Sequence, residues 1–71
     1  MRANIFALKQ LARVKQWTIP ELARQLGINY SYLFRVMRGE KRGGAKLWCG
    51  IYRLCKKEGL LVDDFILMDE E

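Results

Sequence analysis

Apolar residues recur every three or four positions along most of this chain of 71 residues, which is the spacing of one face of an α-helix. The first such stripe lies in "ANIFALKQLARVKQ" and consists of Ile5, Leu8, Leu11 and Ala12. Basic residues occupy several of the positions between them. We therefore expect a first helix from about Asn4 to Gln16.

The segment "TIPELARQLG" carries signals for both ends of a second helix. Thr18 is a favourable N-cap, and Glu21 follows three residues later, which is the spacing of a capping box. Pro20 falls in the first turn, where its missing N–H group costs nothing. Gly27 can end the helix in the left-handed conformation that glycine tolerates. The segment therefore predicts a short helix.

A third helix is expected in "YSYLFRVMR", with Asn29 as its N-cap and Gly39 at its end. Its inward side is expected to carry Leu33, Val36 and Met37. Its outward side is expected to carry Ser31, Arg35 and Arg38, since residues three or four positions apart share one face of a helix. The exposed face of the third helix is therefore predicted to be polar and basic.

A loop, "GEKRGG", separates the third helix from a fourth in "AKLWCGIYRLCKKEG". Gly50 lies inside the fourth helix, where glycine costs about 1 kcal/mol relative to alanine. It therefore indicates either close packing or a weak point. Trp48 and the earlier Trp17 both lie on apolar stripes, and we expect both in the core.

The end of the chain, "LLVDDFILMDEE", predicts a short fifth helix. Asp63 is its expected cap, and Phe65 and Ile66 are its expected apolar residues. The complete pattern predicts an all-α fold of five helices and a single domain over residues 1–71. A domain of this size buries only about 60% of its unfolded surface, so its stability is expected to be low.

Charge is distributed unevenly along the chain. Residues 1–57 carry all thirteen Lys and Arg residues and two of the eight acidic residues, which gives this part a net charge of +11. Residues 58–71 carry six acidic residues and no basic one. A basic body of this size indicates a polyanionic partner, such as a nucleic acid.

The sequence is unlike that of a membrane protein or a secreted protein. No apolar run approaches the roughly 20 residues that cross a bilayer. Basic residues are spread among the apolar residues at the start of the chain, which is unlike a signal peptide. We expect a soluble, cytoplasmic protein that associates with the nucleoid.

The sequence also lacks the residues expected of an enzyme or a metal-binding protein. The chain has no histidine and only two cysteines, Cys49 and Cys55, too few ligands for a zinc site. Six residues on one helix separate these thiols by about 9 Å along the axis, which is too far for a disulfide. Asp63 and Asp64 are adjacent rather than facing each other across a cleft. We expect no metal, no cofactor, no enzymatic activity and no small-molecule effector.

The stretch "TIPELARQLGINYSYLFRVMRGEKR" resembles the Cro and phage-repressor (XRE) family of helix-turn-helix proteins. The positions that match or nearly match the family pattern are Thr18, Glu21, Leu22, Ala23, Leu26, Gly27, Ile28, Ser31, Leu33, Arg35, Val36 and Gly39. The likeness extends to "GLLVDDFI", so it covers most of the chain. It implies a DNA-binding helix-turn-helix at about residues 18–38. Three departures from the pattern are present. Ile19 replaces a glutamine that usually contacts phosphate, and Phe34 replaces a small polar residue. Ala12 and Met37 replace an arginine and a glutamate that often form an ion pair between the first and third helices, which is consistent with a buried pair exchanged for packing.

The resemblance and the exposed basic face together predict a DNA interface. The expected base contacts are Tyr30, Ser31, Phe34 and Arg35. Arg35 has the chemistry for two hydrogen bonds to guanine, the commonest specific contact. The expected phosphate contacts, which position the protein without determining sequence preference, are Thr18, Asn29, Tyr32, Arg38, Lys41 and Arg42.

The three aromatic residues of the third helix are expected to divide between two environments. Tyr30 is expected at the DNA face. Tyr32 is expected at the edge of the fold, with its hydroxyl reaching a phosphate. For Phe34, contact with a thymine methyl group and packing against a neighbouring loop are both open.

These features predict a regulator, a repressor in the style of phage proteins, that binds specific sequences of double-stranded DNA with its third helix in the major groove. A homodimer could form through the apolar segment "LLVDDFILM". One alternative is an excisionase-like architectural protein of a mobile element, which would bend its DNA. A second is an antitoxin-type protein-interaction module, which would form a tight complex with a co-encoded protein.

Overall fold

A computed structural model describes residues 2–67 of the chain. Met1 and residues 68–71, which include part of the acidic end, lie outside the described residues. The protein is mostly helical, and the described part contains four α-helices: α1 (Ile5–Lys15), α2 (Ile19–Leu26), α3 (Tyr30–Met37) and α4 (Ala45–Glu58). The predicted bounds of these four helices agree with the structure to within one or two residues.

The prediction of a fifth α-helix is wrong. The segment forms a single 3₁₀ turn, Val62–Phe65, followed by a two-residue strand, Ile66–Leu67 (β2). This strand pairs antiparallel with Arg2–Ala3 (β1) at the start of the chain. Asn4 donates two hydrogen bonds to backbone carbonyls of this turn. Its N–H donates to the carbonyl of Phe65 at 2.9 Å, and its side-chain amide donates to the carbonyl of Asp64 at 3.2 Å. In a longer helix these carbonyls would instead accept from later N–H groups of the same helix. Pairing with the N-terminus therefore ends the helix early.

Side chains cap the first two helices as their sequences indicated, with one difference. The Asn4 side chain accepts from the N–H of Ala7 at 3.1 Å, and the Thr18 hydroxyl accepts from the N–H of Glu21 at 3.3 Å. The carboxylate of Glu21 does not complete the expected capping box. It accepts instead from the side chains of Arg24 and Gln25 on α2 itself.

Apolar side chains from every helix meet in one core. The most deeply buried of them are Leu8, Leu22, Leu26, Leu33, Leu47 and Ile51. Phe65 of the 3₁₀ turn is also buried and closes the core beside α1 and α4. Trp17 and Trp48 were predicted as core residues, but both are half-buried and pack against the outside of the core. Their rings are large, and large indole rings are rarely enclosed completely.

α2 and α4 approach each other very closely at Gly50. A Cβ atom on this residue would clash with the backbone carbonyl of Leu26, at the end of α2. The same carbonyl accepts a hydrogen bond from the guanidinium of Arg53 at 3.3 Å. Close packing, rather than a weak point, is therefore the reason for glycine inside α4.

Within residues 2–67, none of the helices combines the length and the apolar character that crossing a membrane requires.

Candidate nucleic-acid interface

A three-residue turn, Gly27 to Asn29, connects α2 to α3. Gly27 has a φ of 74°, in the left-handed region, where glycine carries no steric penalty. The N–H of the next residue, Ile28, donates to the carbonyl of Ala23 at 3.0 Å and closes the end of α2. Because α2 is fixed against α4 at Leu26, this short turn also fixes where α3 begins.

The first turn of α3 is capped from within the same connection. The side-chain oxygen of Asn29 accepts from the N–H of Ser31 at 2.8 Å. Leu33 and Val36 are buried in the core, whereas Ser31 and Arg35 are exposed. α3 therefore presents a polar, basic face to the outside, as its sequence predicted.

Several arginines form hydrogen bonds within the protein, whereas the guanidinium of Arg35 forms none among the described residues. Arg24 is bound by the carboxylate of Glu21, and this hydrogen bond lowers the pKa of Glu21 and raises that of Arg24. Arg53 donates to Leu26. Among residues 2–67, the side chain of Arg35 has no hydrogen bond or ion pair, so all of its donors are available to a partner.

Three side chains form a continuous row along α3, which we call the aromatic row: Tyr30, Phe34 and Arg38. The two rings are 45% and 42% exposed, and their centroids lie 5.9 Å apart at an interplanar angle of 33°. The guanidinium carbon of Arg38 lies 5.5 Å from the centroid of Phe34, within the range of a cation–π contact. Phe34 therefore packs against its own helix neighbours, and much of its ring remains exposed.

Arg38 also forms an ion pair with Glu40, at 3.2 Å between Nε and Oε2. Both side chains are exposed, and an exposed pair of this kind contributes little and is screened by salt. A phosphate could replace Glu40 as the partner of Arg38 without exposing a buried charge.

Two of the residues predicted to contact phosphate are helix caps. The side-chain oxygens of Thr18 and Asn29 accept hydrogen bonds from their own helices. The hydroxyl proton of Thr18 and the amide protons of Asn29 remain available to an outside acceptor, since both residues are exposed. Capping and phosphate binding therefore use different atoms of the same side chains.

Tyr32 has a structural contact that the sequence did not indicate. Its hydroxyl oxygen accepts from the backbone N–H of Gly44 at 2.6 Å, directly before α4. This bond connects α3 to the start of α4 and leaves the hydroxyl proton as the only donor for a phosphate.

Lys41 and Arg42 lie in the loop between α3 and α4, where both are exposed. Together with Arg2 of β1 they line an open groove whose apolar surface includes Phe6 and Leu67. Sequence analysis missed the contribution of Arg2, because the β1–β2 pairing that brings the two ends of the chain together has no recognisable pattern.

A second groove lies between the starts of α3 and α4. It is lined by Asn29, Tyr32, Gly44 and Lys46, with the Gly27–Ile28 turn at its edge. The first turn of α4 has no side-chain cap and no acidic residue, so no side chain of this turn offsets the positive end of the helix dipole. Lys46 was missed as a candidate, although "GGAK", which offers no capping side chain, was a usable signal.

The cysteines are both free, with Cys49 exposed and Cys55 buried. Burial raises the pKa of the Cys55 thiol, and the nearby charge of Asp64 raises it further. Within residues 2–67, no group of three or more Cys, Asp or Glu side chains is placed to hold a metal ion.

Comparison with known proteins identifies no relative of this chain. Neither a protein-family model, nor a curated protein, nor a solved structure matches the chain.

Proposed function

We propose that the protein binds specific sequences of double-stranded DNA and regulates transcription, with α2, the connecting turn and α3 acting as a helix-turn-helix. The observation that carries the proposal is the outward face of α3. There Arg35 is exposed and uncommitted, one helical turn after Ser31. The resemblance of residues 18–42 to the Cro and phage-repressor family supports the same conclusion.

The dimensions of α3 suit the major groove. Eight helical residues span about 12 Å, and the major groove is about 12 Å wide. A helix of this length would bring its first two turns to the base edges. Arg35 would then donate two hydrogen bonds to a guanine, while Ser31 and Tyr30 would contact neighbouring bases.

Basic and amide groups around α3 would bind the DNA backbone on both sides of the groove. Arg38 and Lys41 follow the end of α3, and Lys46 lies at the groove shared by the starts of α3 and α4. Each phosphate contact releases counterions, so this part of the binding is expected to depend strongly on salt. Such contacts would hold the helix in place without choosing a sequence.

We further propose that the regulator is a repressor that acts by occupying its site, and that it does so as a homodimer. Leu61 and Leu67 support a dimer, because both remain exposed after Phe65 has been taken into the core. Two copies would place two α3 helices in successive major-groove turns, as in other dimeric helix-turn-helix proteins.

Selection of binding sites from random duplex DNA tests this proposal. We expect the protein to enrich a short shared sequence and to repress a reporter whose promoter contains it. Equal retention of all sequences would contradict sequence-specific binding. Enrichment without repression, together with bending of the bound DNA, would favour an architectural protein instead.

A further inference from the structure

The aromatic row exposes apolar ring surface, which hydrogen bonds to bases would not explain. Phe34 carries no polar atom, yet it lies exposed in the middle of the outward side of α3, between Tyr30 and Arg38. An apolar group suits its free surface best, because a neutral polar group buried there would lose its hydrogen bonds to water. In the major groove, base pairs offer one apolar group, the C5 methyl of thymine.

We propose that Tyr30 and Phe34 together select thymine methyl groups, so that the preferred DNA site contains two thymines at a fixed separation. This inference rests on the proposed binding of α3 in the major groove. Tyr30 contributes an apolar ring with a hydroxyl that can remain in water, whereas Phe34 contributes an apolar ring alone. Arg35, on the same helix, supplies the polar contact beside them.

The distance between the rings sets the separation of the thymines. Their centroids are 5.9 Å apart. Successive base pairs rise by about 3.4 Å and are rotated by about one tenth of a turn, so methyl groups are farther apart than the rise alone. Methyl groups two steps apart are therefore separated by more than about 6.8 Å, which exceeds the ring distance, whereas those on adjacent base pairs are separated by somewhat more than about 3.4 Å. We therefore expect the two thymines on adjacent base pairs.

Phe34 is already held in position before DNA binds. The guanidinium of Arg38 lies over its ring, and the ring of Tyr30 lies beside it. These contacts favour the observed position of the ring and so reduce the side-chain freedom that is lost on binding, which favours discrimination of a group as small as one methyl.

Replacing thymine with uracil in the selected duplex tests the inference, because uracil lacks only the C5 methyl. We expect each replacement at the two positions to weaken binding of the unmodified protein about fourfold, the factor for burial of one methyl group. Phe34→Ala should bind the thymine and uracil duplexes equally at one position, and Tyr30→Ala should do so at the other. Phe34→Leu should retain the preference, because it retains an apolar side chain.

Tyr52→Ala is the matched control. Tyr52 is 52% exposed on α4 and has the ammonium of Lys56 5.5 Å from its ring, so it repeats the arrangement of Phe34 and Arg38 on another helix. This variant should keep the full preference for thymine.

Three outcomes would overturn the inference. If the protein enriches no sequence at all, both the inference and the proposed function fail. If it enriches a sequence that depends on Arg35 but binds thymine and uracil duplexes equally, the inference alone fails. If Phe34→Ala and Tyr30→Ala both keep the thymine preference, other residues select the methyl groups and the inference fails again.

Discussion

Gly50 determines how closely α4 can approach the end of α2. A methyl group at this position meets the backbone carbonyl of Leu26, which cannot move away as a flexible side chain could. Arg53 donates to the same carbonyl from the next turn of α4, so both residues hold one point on α2. Since Gly27 and the start of α3 follow at once, a displacement here would be passed on to the proposed DNA-binding helix.

We predict that Gly50→Ala destabilises the protein, although alanine favours helix by about 1 kcal/mol. Overpacking of a close contact typically costs about 1–3 kcal/mol, which exceeds the gain in helix propensity. Urea denaturation gives the free energy of unfolding directly. Cys49→Ala, at an exposed position on the same helix, is the control and should change this value by less than about 0.5 kcal/mol. A more stable Gly50→Ala variant would show that the two helices can separate without cost.

The residues that the sequence placed correctly are those governed by local rules. Caps at Thr18 and Asn29, the helix end at Gly27 and the outward position of Arg35 depend on spacing within one helix. Local rules do not predict which partner a side chain contacts in the folded protein. The bond between Tyr32 and Gly44, and the cation–π contact of Arg38, arise from the folded arrangement and could not be derived from spacing.

At the scale of elements, the same limit of local sequence rules explains why the prediction of a fifth helix is wrong. The apolar run after Gly59 is compatible with either a helix or a strand, because short apolar runs do not distinguish the two. The outcome depends on β1, at the other end of the chain, whose pairing with β2 extends Ile66 and Leu67. A contact between residues so far apart in sequence leaves no local signal.

The ends of α1 and α4 are joined by an ion pair between Lys15 and Glu58, at 2.5 Å. The hydrogen bond from Lys15 lowers the pKa of Glu58 below its ordinary value of 4.5. A carboxylate with a lowered pKa in the folded state stabilises the fold above its unfolded pKa, and that stabilisation is lost as the pH falls through the folded value. The junction is therefore expected to weaken in acid.

We predict that Glu58→Gln lowers the free energy of unfolding at neutral pH and that its difference from the unmodified protein vanishes at a pH below the lowered pKa of the Glu58 carboxyl. Glutamine cannot be ionised, and at low pH the native carboxyl is neutral as well, so the two proteins become equivalent there. Thermal melts across the acid range measure the difference. Lys15→Met removes the partner and should follow the same pH dependence. A difference that is equally large at both pH values would show that the ion pair contributes nothing.

At the scale of the whole molecule, apolar surface remains after the core is complete. Leu61 is 70% exposed, and Leu67 lies partly open beside Phe6. We predict that these side chains form the dimer interface, so that light scattering at high micromolar concentration gives the mass of two chains. Leu61→Lys should shift the mass toward one chain while leaving the helical content unchanged. A strictly monomeric mass, both with and without DNA, would rule the dimer out.

Charge is also a property of the whole molecule, and the sequence alone was sufficient to find it. The excess of basic residues in residues 1–57 favours electrostatic attraction to polyanions, which would include the proposed DNA whatever its sequence. The fold shows which of these basic residues form contacts within the protein and which do not. Arg24 and Arg53 are engaged within the protein, whereas Arg35 is uncommitted on α3 and Lys41 is exposed in the loop beyond it. We propose that Arg35 determines sequence preference and that Lys41 contributes affinity.

Binding of the Arg35→Ala and Lys41→Ala variants to the selected duplex and to a scrambled one, across a salt series, tests that claim most directly. We expect Arg35→Ala to lose about 1–3 kcal/mol on the selected duplex and little on the scrambled one. Lys41→Ala should weaken both about equally and lower the slope of log affinity against log salt by roughly one. If Arg35→Ala instead loses the same affinity for both duplexes, α3 does not select the sequence and the assigned base contacts are wrong.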